Sequence, residues 1–287
     1  MSSIPKNKRI AIIGGGTNTY ISNHLALSAP AYGTTARILA NRFKEHPENK
    51  MDVELILTKM ARIGRFRNNA PDTPEDIETL VNKLVADPDT RVIIFNVAMV
   101  DYKPTSLFNL ESNSYDAYNP VEITDKFGKY AGRLNTSKLP EVCLELSAQD
   151  KIIQKIHKER KDILLVGFKT TCGATKEEQF QRGLKLCKDA SANIVFVNDV
   201  NKDRITTLKS KIIEKEKLES ILKYQHDISI NLLRLEKEIL DLQNNGLVTP
   251  EESSYWYNTR DEALDALVQM VLDRSHLHFT RSTVVDS

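Results

Sequence analysis

The amino-acid sequence predicts an α/β fold, a doubly wound and mostly parallel sheet in a Rossmann-like three-layer arrangement, carrying one long coiled-coil-like helical insertion. Two observations predict the sheet. Short, β-rich apolar runs recur at residues 9–13, 53–57, 92–97, 163–168 and 194–197. Runs that are apolar at successive positions suit strands covered on both faces, the condition of a parallel sheet. Segments of helical period separate them, and strand–helix alternation of this kind builds a doubly wound α/β domain.

The helices have recognisable starts. The first begins at Gly33 and Thr34, with Ala36, Leu39, Ala40 and Phe43 as its buried stripe. Thr73 precedes Pro74 at the first helical position of the second, where a missing N–H does no harm, and Ile77, Leu80, Val81 and Leu84 follow on one face. Ser147 is the expected cap of a helix carrying Ile152, Ile153 and Ile156. Thr175 with Glu178 makes a capping box for the helix through Phe180 and Leu184. A last helix is capped by Thr259 and Glu262 and striped by Leu264, Leu267, Val268 and Val271.

Two segments break the alternation. Residues 105–137 are long, polar and without clear period, which predicts a lid or a disordered loop. Residues 206–246 are rich in Lys, Glu, Leu and Ile. There Leu218, Ile221, Gln225, Ile228, Leu232, Leu235, Ile239 and Leu242 repeat at steps of three and four. Such a seam predicts a helix about 37 Å long at 1.5 Å per residue, stopped by Asn244-Asn245-Gly246. The expected organisation is one α/β domain, residues 1–205 and 247–287, with 206–246 as a helical arm suited to dimerisation.

Composition excludes several classes of function. A chain of 287 residues can bury a substantial core without disulfides. Its formal net charge of +1 gives no electrostatic ground for a nucleic-acid partner. Cys143, Cys172 and Cys187 lie far apart, and an odd count without metal-type spacing fits free thiols in a reducing compartment. No apolar run approaches the roughly 18–20 residues that span a bilayer. No signal-peptide core precedes the first strand, so the expected location is cytoplasmic.

The chemistry is sought after the strands, because ligands of such sheets bind beyond the strands' carboxyl ends. The first strand runs into Gly14-Gly15-Gly16-Thr17. Three glycines there read either as a tight turn or as a backbone cradle for an anion; the spacing is not the dinucleotide fingerprint, and no Walker lysine follows. Gly33 and Thr34 read as an ordinary capped helix start or as a phosphate site on the helix N-terminus. Ala98 and Asp101 follow the 92–97 strand, Lys169 and Thr170 follow Phe168, and Asn198-Asp199 follow the 194–197 strand. Each group can be a turn. Several polar strand ends on one sheet also converge on one crevice.

Taken in order, these motifs resemble the phosphopantothenate–cysteine ligases. The resemblance rests on Gly-Gly-Thr at 15–17, Ile21-Ser22-Asn23, Gly33 at the next helix, Val100-Asp101-Tyr102-Lys103-Pro104, Val166-Gly167-Phe168, Lys185-Leu186 with Lys188, and Asn198-Asp199-Val200. It spans residues 8–204 and resumes at 261–274. The family joins 4′-phosphopantothenate to cysteine in coenzyme A biosynthesis, using CTP or ATP with Mg²⁺ and an acyl-nucleotidylate intermediate.

Carried across, the resemblance makes Asn23 the amide that holds the activated carboxyl. It makes Arg133 and Lys138, in a stretch similar to a lysine-rich flap, its catalytic companions. Gly14, Gly15, Gly16, Thr17, Ser28, Gly33, Ala98, Asp101, Phe168, Lys185 and Lys188 become nucleotide-binding, Asp101 a metal ligand as well, and Asn198 and Asp199 substrate-binding. A homodimer is expected, with no nucleic acid and no membrane among its partners. Each residue has a plainer reading: Asn23 as a loop brace, Phe168 as core, Lys185 and Lys188 as a solvated helix face.

The sequence departs from the family's pattern. Only Asn18, Thr19 and Tyr20 separate Gly-Gly-Thr from Ile-Ser-Asn, the common Ser-Ser-Gly-Lys/Arg stretch reads Ser28-Ala29-Pro30-Ala31, Arg133 stands where a flap lysine is usual, and the 206–246 segment replaces the pair of short strands that typically follows the Asn-Asp-Val motif. Two other readings therefore stand beside the ligase. One is a catalytically silent nucleotide- or metabolite-binding relative that recruits a partner through its arm. The other is a carboxylate-activating ligase with a different acid or amine. No decarboxylase domain precedes the ligase-like region, so a stand-alone enzyme is expected. The enzymatic reading expects Gly15, Asn23 and Asp101 to meet in one crevice.

Overall fold

The computed structural model describes residues 8–62, 69–109, 121–124, 126–137, 141–199, 210–214, 254–257 and 259–282. In chain order the elements are β1 (Arg9–Ser22), β2 (Leu25–Ala29), α1 (Thr34–Glu45), β3 (Asp52–Leu57), α2 (Pro74–Ala86), β4 (Thr90–Ala98), β5 (Tyr102–Asn109), β6 (Val121–Thr124) and β7 (Val142–Ala148). There follow α3 (Ile153–Glu159), β8 (Leu164–Thr171), α4 (Lys176–Asp189), β9 (Ile194–Asp199), β10 (Ser210–Glu214), β11 (Ser254–Tyr257) and α5 (Arg260–Ser282).

The fold is the expected Rossmann-like one. β3, β1, β4, β8 and β9 lie side by side and parallel, and β10 and β11 extend the sheet antiparallel beyond β9. Period-two alternation assigns each strand residue to a face. Ala11, Ile13, Ile93, Phe95, Leu165, Val195 and Val197 pack with Ile77 and Val81 of α2, Ile156 of α3 and Phe180 and Leu184 of α4. Ile10, Ile12, Val92, Ile94, Leu164, Val166, Ile194 and Phe196 face the other way, against Leu39 and Phe43 of α1 and Leu264, Leu267 and Val271 of α5. Both faces of the central strands are thus sealed, and each fully buried Ile, Leu or Phe contributes roughly 1.5–3 kcal/mol.

The helix starts are largely as read. Thr73 and Asp76 form a reciprocal capping box with Pro74 in the first turn of α2. Thr175 and Glu178 do the same for α4, and Thr259 and Glu262 for α5. Ser147 caps nothing: it lies within β7, and the N-cap of α3 is Ile152, with no side-chain hydrogen bond.

Three expectations are overturned. The glycine run is not a turn, because β1 continues for 14 residues to Ser22. Its first half pairs with β3 and β4, and its second half, from Thr17, forms an antiparallel hairpin with β2. Glycine is required there by close approach. A Cβ on Gly14 would lie 2.3 Å from Ala36 Cβ, and one on Gly16 would lie 2.1 Å from the Ala29 carbonyl oxygen.

The span 105–137 is not simply a loop. β5, β6 and β7 form a second, three-stranded antiparallel sheet in the order β6-β5-β7. Its strands escape an apolar-run search because most of β7 is exposed.

Finally, Ser210–Glu214 is a strand and not the start of a helix, and its partners β9 and β11 supply the strand pair thought to be replaced. Ile212 and Ile213 are β-branched and suit it. The heptad-like seam from Leu218 to Leu242 lies outside the described residues. Among the described residues no helix is long and apolar enough to cross a membrane.

Candidate functional site

The order β3-β1-β4 places a topological switch point between β1 and β4, since the chain leaves β1 toward β3 and returns to β4 on the opposite side. A crevice is expected there, at the carboxyl ends of the strands. The structure has a cavity of about 790 Å³ at that place. Its size lies within the roughly 300–1,000 Å³ of small-ligand sites.

One wall is the start of α1. Gly33 is its N-cap, in the left-handed region at φ 71°, where a Cβ would come within 2.9 Å of Leu57. Gly33 has no side chain to cap the helix, and the first turn carries no acid. The N–H groups of that turn therefore meet the cavity uncapped, with the positive end of the helix dipole behind them. Arg37 fixes this entry by donating to the carbonyls of Tyr32, at 2.7 Å, and of Ala61.

The floor is formed by strand ends: Gly15 of β1, Asn96 and Ala98 of β4, Phe168 and Lys169 of β8 and Asn198 of β9. Phe168 stacks on the buried Phe196 with ring centroids 5.0 Å apart, so it belongs to the core and presents its remaining surface to the cavity. Asn198 accepts from Thr170 Oγ1 at 3.2 Å.

Charge gives the cavity its character. Among the described residues, Lys151, Lys169, Arg182, Lys185 and Arg260 line it, against the acids Asp101 and Asp189 alone. Asp101 is held by Lys151, and Asp189 by Lys185 at 3.2 Å. Those two pairs balance, leaving Lys169, Arg182 and Arg260 as an excess of positive charge. Low-dielectric walls focus such a field on an anion.

Of the residues singled out from the sequence, Gly15, Gly33, Ala98, Asp101, Phe168, Lys185 and Asn198 line this cavity. The others do not. Gly14 packs on Ala36 and Gly16 on the 29–31 segment. Thr17 is fully buried; its hydroxyl donates to the Ala98 carbonyl at 3.1 Å and accepts the Val100 N–H at 3.0 Å, clamping β1 to the end of β4. Ser28 sits on β2 and donates to Asn18 at 2.6 Å.

Asp199 turns away to accept the N–H groups of Gly173 and Ala174, at 2.9 and 3.0 Å. Burial works to raise its carboxyl, but the hydroxyl of Thr171 and those two N–H groups hold it below its ordinary value. Lys188 is on α4 but off the face that carries Arg182, Lys185 and Asp189.

Asn23 departs furthest from expectation. It lies exposed in the β1–β2 turn, eight residues beyond Gly15, about 26 Å along an extended strand. Gly15 and Asp101 therefore share a crevice in the chain, and Asn23 does not join them. It is instead tied to the 126–137 segment, where its N–H donates to the Ala131 carbonyl at 3.2 Å. Arg133 lies exposed on that same segment, and Lys138 lies outside the described residues. Asn23 thus meets the segment that carries Arg133, away from the cavity.

The sequence reading missed Lys151, Arg182 and Arg260, and it noted Lys169 only as a polar residue after a strand. Helical spacing was the missing signal for Arg182: with Lys185 and Asp189 it falls at steps of three and four on one face of α4. Nothing local marked Arg260, whose place depends on α5 packing beside α1.

No group of three or more His, Cys, Asp or Glu among the described residues is placed to hold a metal ion.

No protein-family model matches the chain, and no curated protein matches it. Solved structures do. The DNA/pantothenate metabolism flavoprotein of Streptococcus pneumoniae is 17% identical with a TM-score of 0.64, the match covering 93% of this chain and 99% of that one. A Cab2 mutant in complex with phosphopantothenate-cysteine is 10% identical with a TM-score of 0.55, over 97% of this chain and 89% of that one. A further structure of a Cab2 mutant gives 10% identity and a TM-score of 0.54, over 96% and 88%. At these identities the likeness shows the fold alone.

Proposed function

We propose that the chain is a phosphopantothenate–cysteine ligase of coenzyme A biosynthesis, using CTP or ATP to activate the carboxylate of 4′-phosphopantothenate. The observation that carries this reading is the cation-rich cavity at the switch point, with the uncapped start of α1 opening into it. It is supported by the ordered motifs and by a fold shared with a protein solved on phosphopantothenate-cysteine.

A carboxylate resists amines until one oxygen becomes a good leaving group. In the proposed reaction that oxygen attacks the α-phosphorus, and the bond to pyrophosphate breaks. The cysteine nitrogen then attacks the acyl carbon, the anhydride C–O bond breaks, and the nucleoside monophosphate leaves with the former carboxylate oxygen. Splitting one hard substitution into two easier ones is the gain of covalent catalysis. The negative charge gathering on phosphoryl oxygens is met by Arg182, Lys185 and the first turn of α1, groups already in place before reaction. Mg²⁺ on the phosphates would supply further charge neutralisation beside Asp101.

Asn23 cannot reach this cavity within its own chain, so the ligase reading requires a homodimer in which a second copy presents its hairpin. The same distance favours a second reading, a nucleotide-binding relative without turnover. Pyrophosphate release decides between them. Release that depends on phosphopantothenate supports the ligase; nucleotide binding without release, in the presence of Mg²⁺ and cysteine, supports the silent relative. Release with other carboxylates only would point to a ligase of different substrate.

A further inference from the structure

Arg260 opens α5, and its half-buried side chain lines the cavity. There its guanidinium donates to Thr35 Oγ1 in the first turn of α1. Burial pushes the group below the usual arginine value, with Asp261 acting the other way. The acids of its own helical turn are engaged elsewhere. Asp261 accepts from Arg42 at 2.7 Å, and Glu262 accepts the Thr259 N–H at 3.3 Å in the capping box. Among the described residues, no carboxylate lies within hydrogen-bonding distance of the Arg260 side chain.

This placement runs against the ordinary rule that cations sit at helix C-termini. Here the first turns of α1 and α5 both meet at one guanidinium, and each brings roughly half a positive charge. The loop leading into α1, residues 28–33, has no basic side chain of its own. Arg260 therefore brings to that loop, from the far end of the chain, a cation that the loop lacks.

We propose that Arg260 binds a phosphate group at the first turn of α1, engaging its oxygens with the planar fork of which Thr35 now occupies one donor. The proposal rests on the reading of this cavity as a phosphate site. A lysine cannot reproduce that two-point geometry. The phosphate has two possible sources, the polyphosphate chain of the nucleotide and the phosphate monoester of the acyl substrate.

The test is calorimetric titration of the full chain with tripolyphosphate and, separately, with phosphopantothenate. Arg260→Gln should weaken one of them by about ten- to a hundredfold, and Arg260→Lys should recover only part of the loss. Loss confined to tripolyphosphate assigns the residue to the nucleotide; loss confined to phosphopantothenate assigns it to the acyl substrate. Unchanged affinity for both overturns the proposal and leaves the cavity's reading standing. A wild-type chain that binds neither probe, nor CTP or ATP, overturns both together. A measurement on the wild-type chain guards against misfolded variants. The effective probe should slow phenylglyoxal modification of Arg260 and leave Arg42, which is paired with Asp261 and Asp265, unaffected. Equal rates at Arg260 with and without either probe would contradict the proposal.

Discussion

Asn18 grips Asp72 twice: its side-chain amide donates to the carboxylate at 2.8 Å, and its backbone N–H donates to the Asp72 carbonyl at 2.8 Å. Tyr20 at 2.9 Å, Lys59 at 3.2 Å and Lys129 at 3.5 Å complete the set around one buried carboxylate. The β1–β2 hairpin, the entry to α2 and the 126–137 segment are thereby fastened together. Asp72 thus governs the position of the hairpin that carries Asn23.

Removing that carboxylate strands its donors. Asp72→Ala should destabilise the chain by about 1–3 kcal/mol in urea unfolding at neutral pH. Burial works to raise the Asp72 carboxyl, but hydrogen bonds from Asn18, Tyr20 and Lys59 outweigh it and hold the group below its ordinary value. A depressed carboxylate stabilises above its unfolded pKa, near 3.9, and loses that contribution as pH falls through the folded value. The gap between wild type and variant should hold steady from neutrality to about pH 5 and shrink below about pH 4. A gap independent of pH would contradict the assignment.

Gly14 and Ala36 form a second pair open to test. A Cβ on Gly14 would meet Ala36 Cβ at 2.3 Å, while its next neighbour, Leu57, lies at 3.7 Å. Gly14→Ala should therefore cost about 1–3 kcal/mol of stability by overpacking. Adding Ala36→Gly should recover part of it, less the roughly 1 kcal/mol that glycine costs inside a helix. Strictly additive losses in a double-mutant cycle would argue against this contact.

Lys185 and Lys188 look equivalent in the sequence, and the structure separates them. Lys185→Gln should weaken CTP or ATP binding by about tenfold, the loss of one charge-assisted contact, whereas Lys188→Gln should leave it unchanged. Fluorescence titration of the two variants checks this. Equal weakening by both would mean that α4 presents a different face to the nucleotide.

A site shared between two copies has a genetic signature. Asn23→Ala and Asp101→Ala chains, each inactive alone, should on mixing regain about a quarter of wild-type activity, because half the dimers are mixed and each carries one intact site. Sedimentation should show a dimer in the same samples. No regain would mean that Asn23 of one copy does not serve the cavity of another.

The sheet was legible because its parallel core strands are apolar on both faces, as at Ile10–Ile13 and Leu164–Val166, and because Thr73, Thr175 and Thr259 announce their helices. β7 was not, since an antiparallel strand with most of its residues exposed has no apolar run to find. The glycine run misled for a related reason. Glycine tolerates turns and close packing alike, and only the neighbours Ala36, Thr58 and Ala29 decide between them. At the site, strand-end residues such as Asp101 and Phe168 could be read from topology. Arg260 depends on the packing of two helices more than two hundred residues apart, a relationship that no local pattern encodes.

The most direct measurement follows one oxygen. The chain is supplied with phosphopantothenate whose carboxylate carries heavy oxygen, together with CTP or ATP, Mg²⁺ and cysteine, and the nucleoside monophosphate is analysed by mass spectrometry. Transfer of one heavy oxygen into the monophosphate, matched to amide formed, is the predicted result. Amide formation with an unlabelled monophosphate, or no turnover with either nucleotide, would contradict activation of the carboxylate at the α-phosphorus.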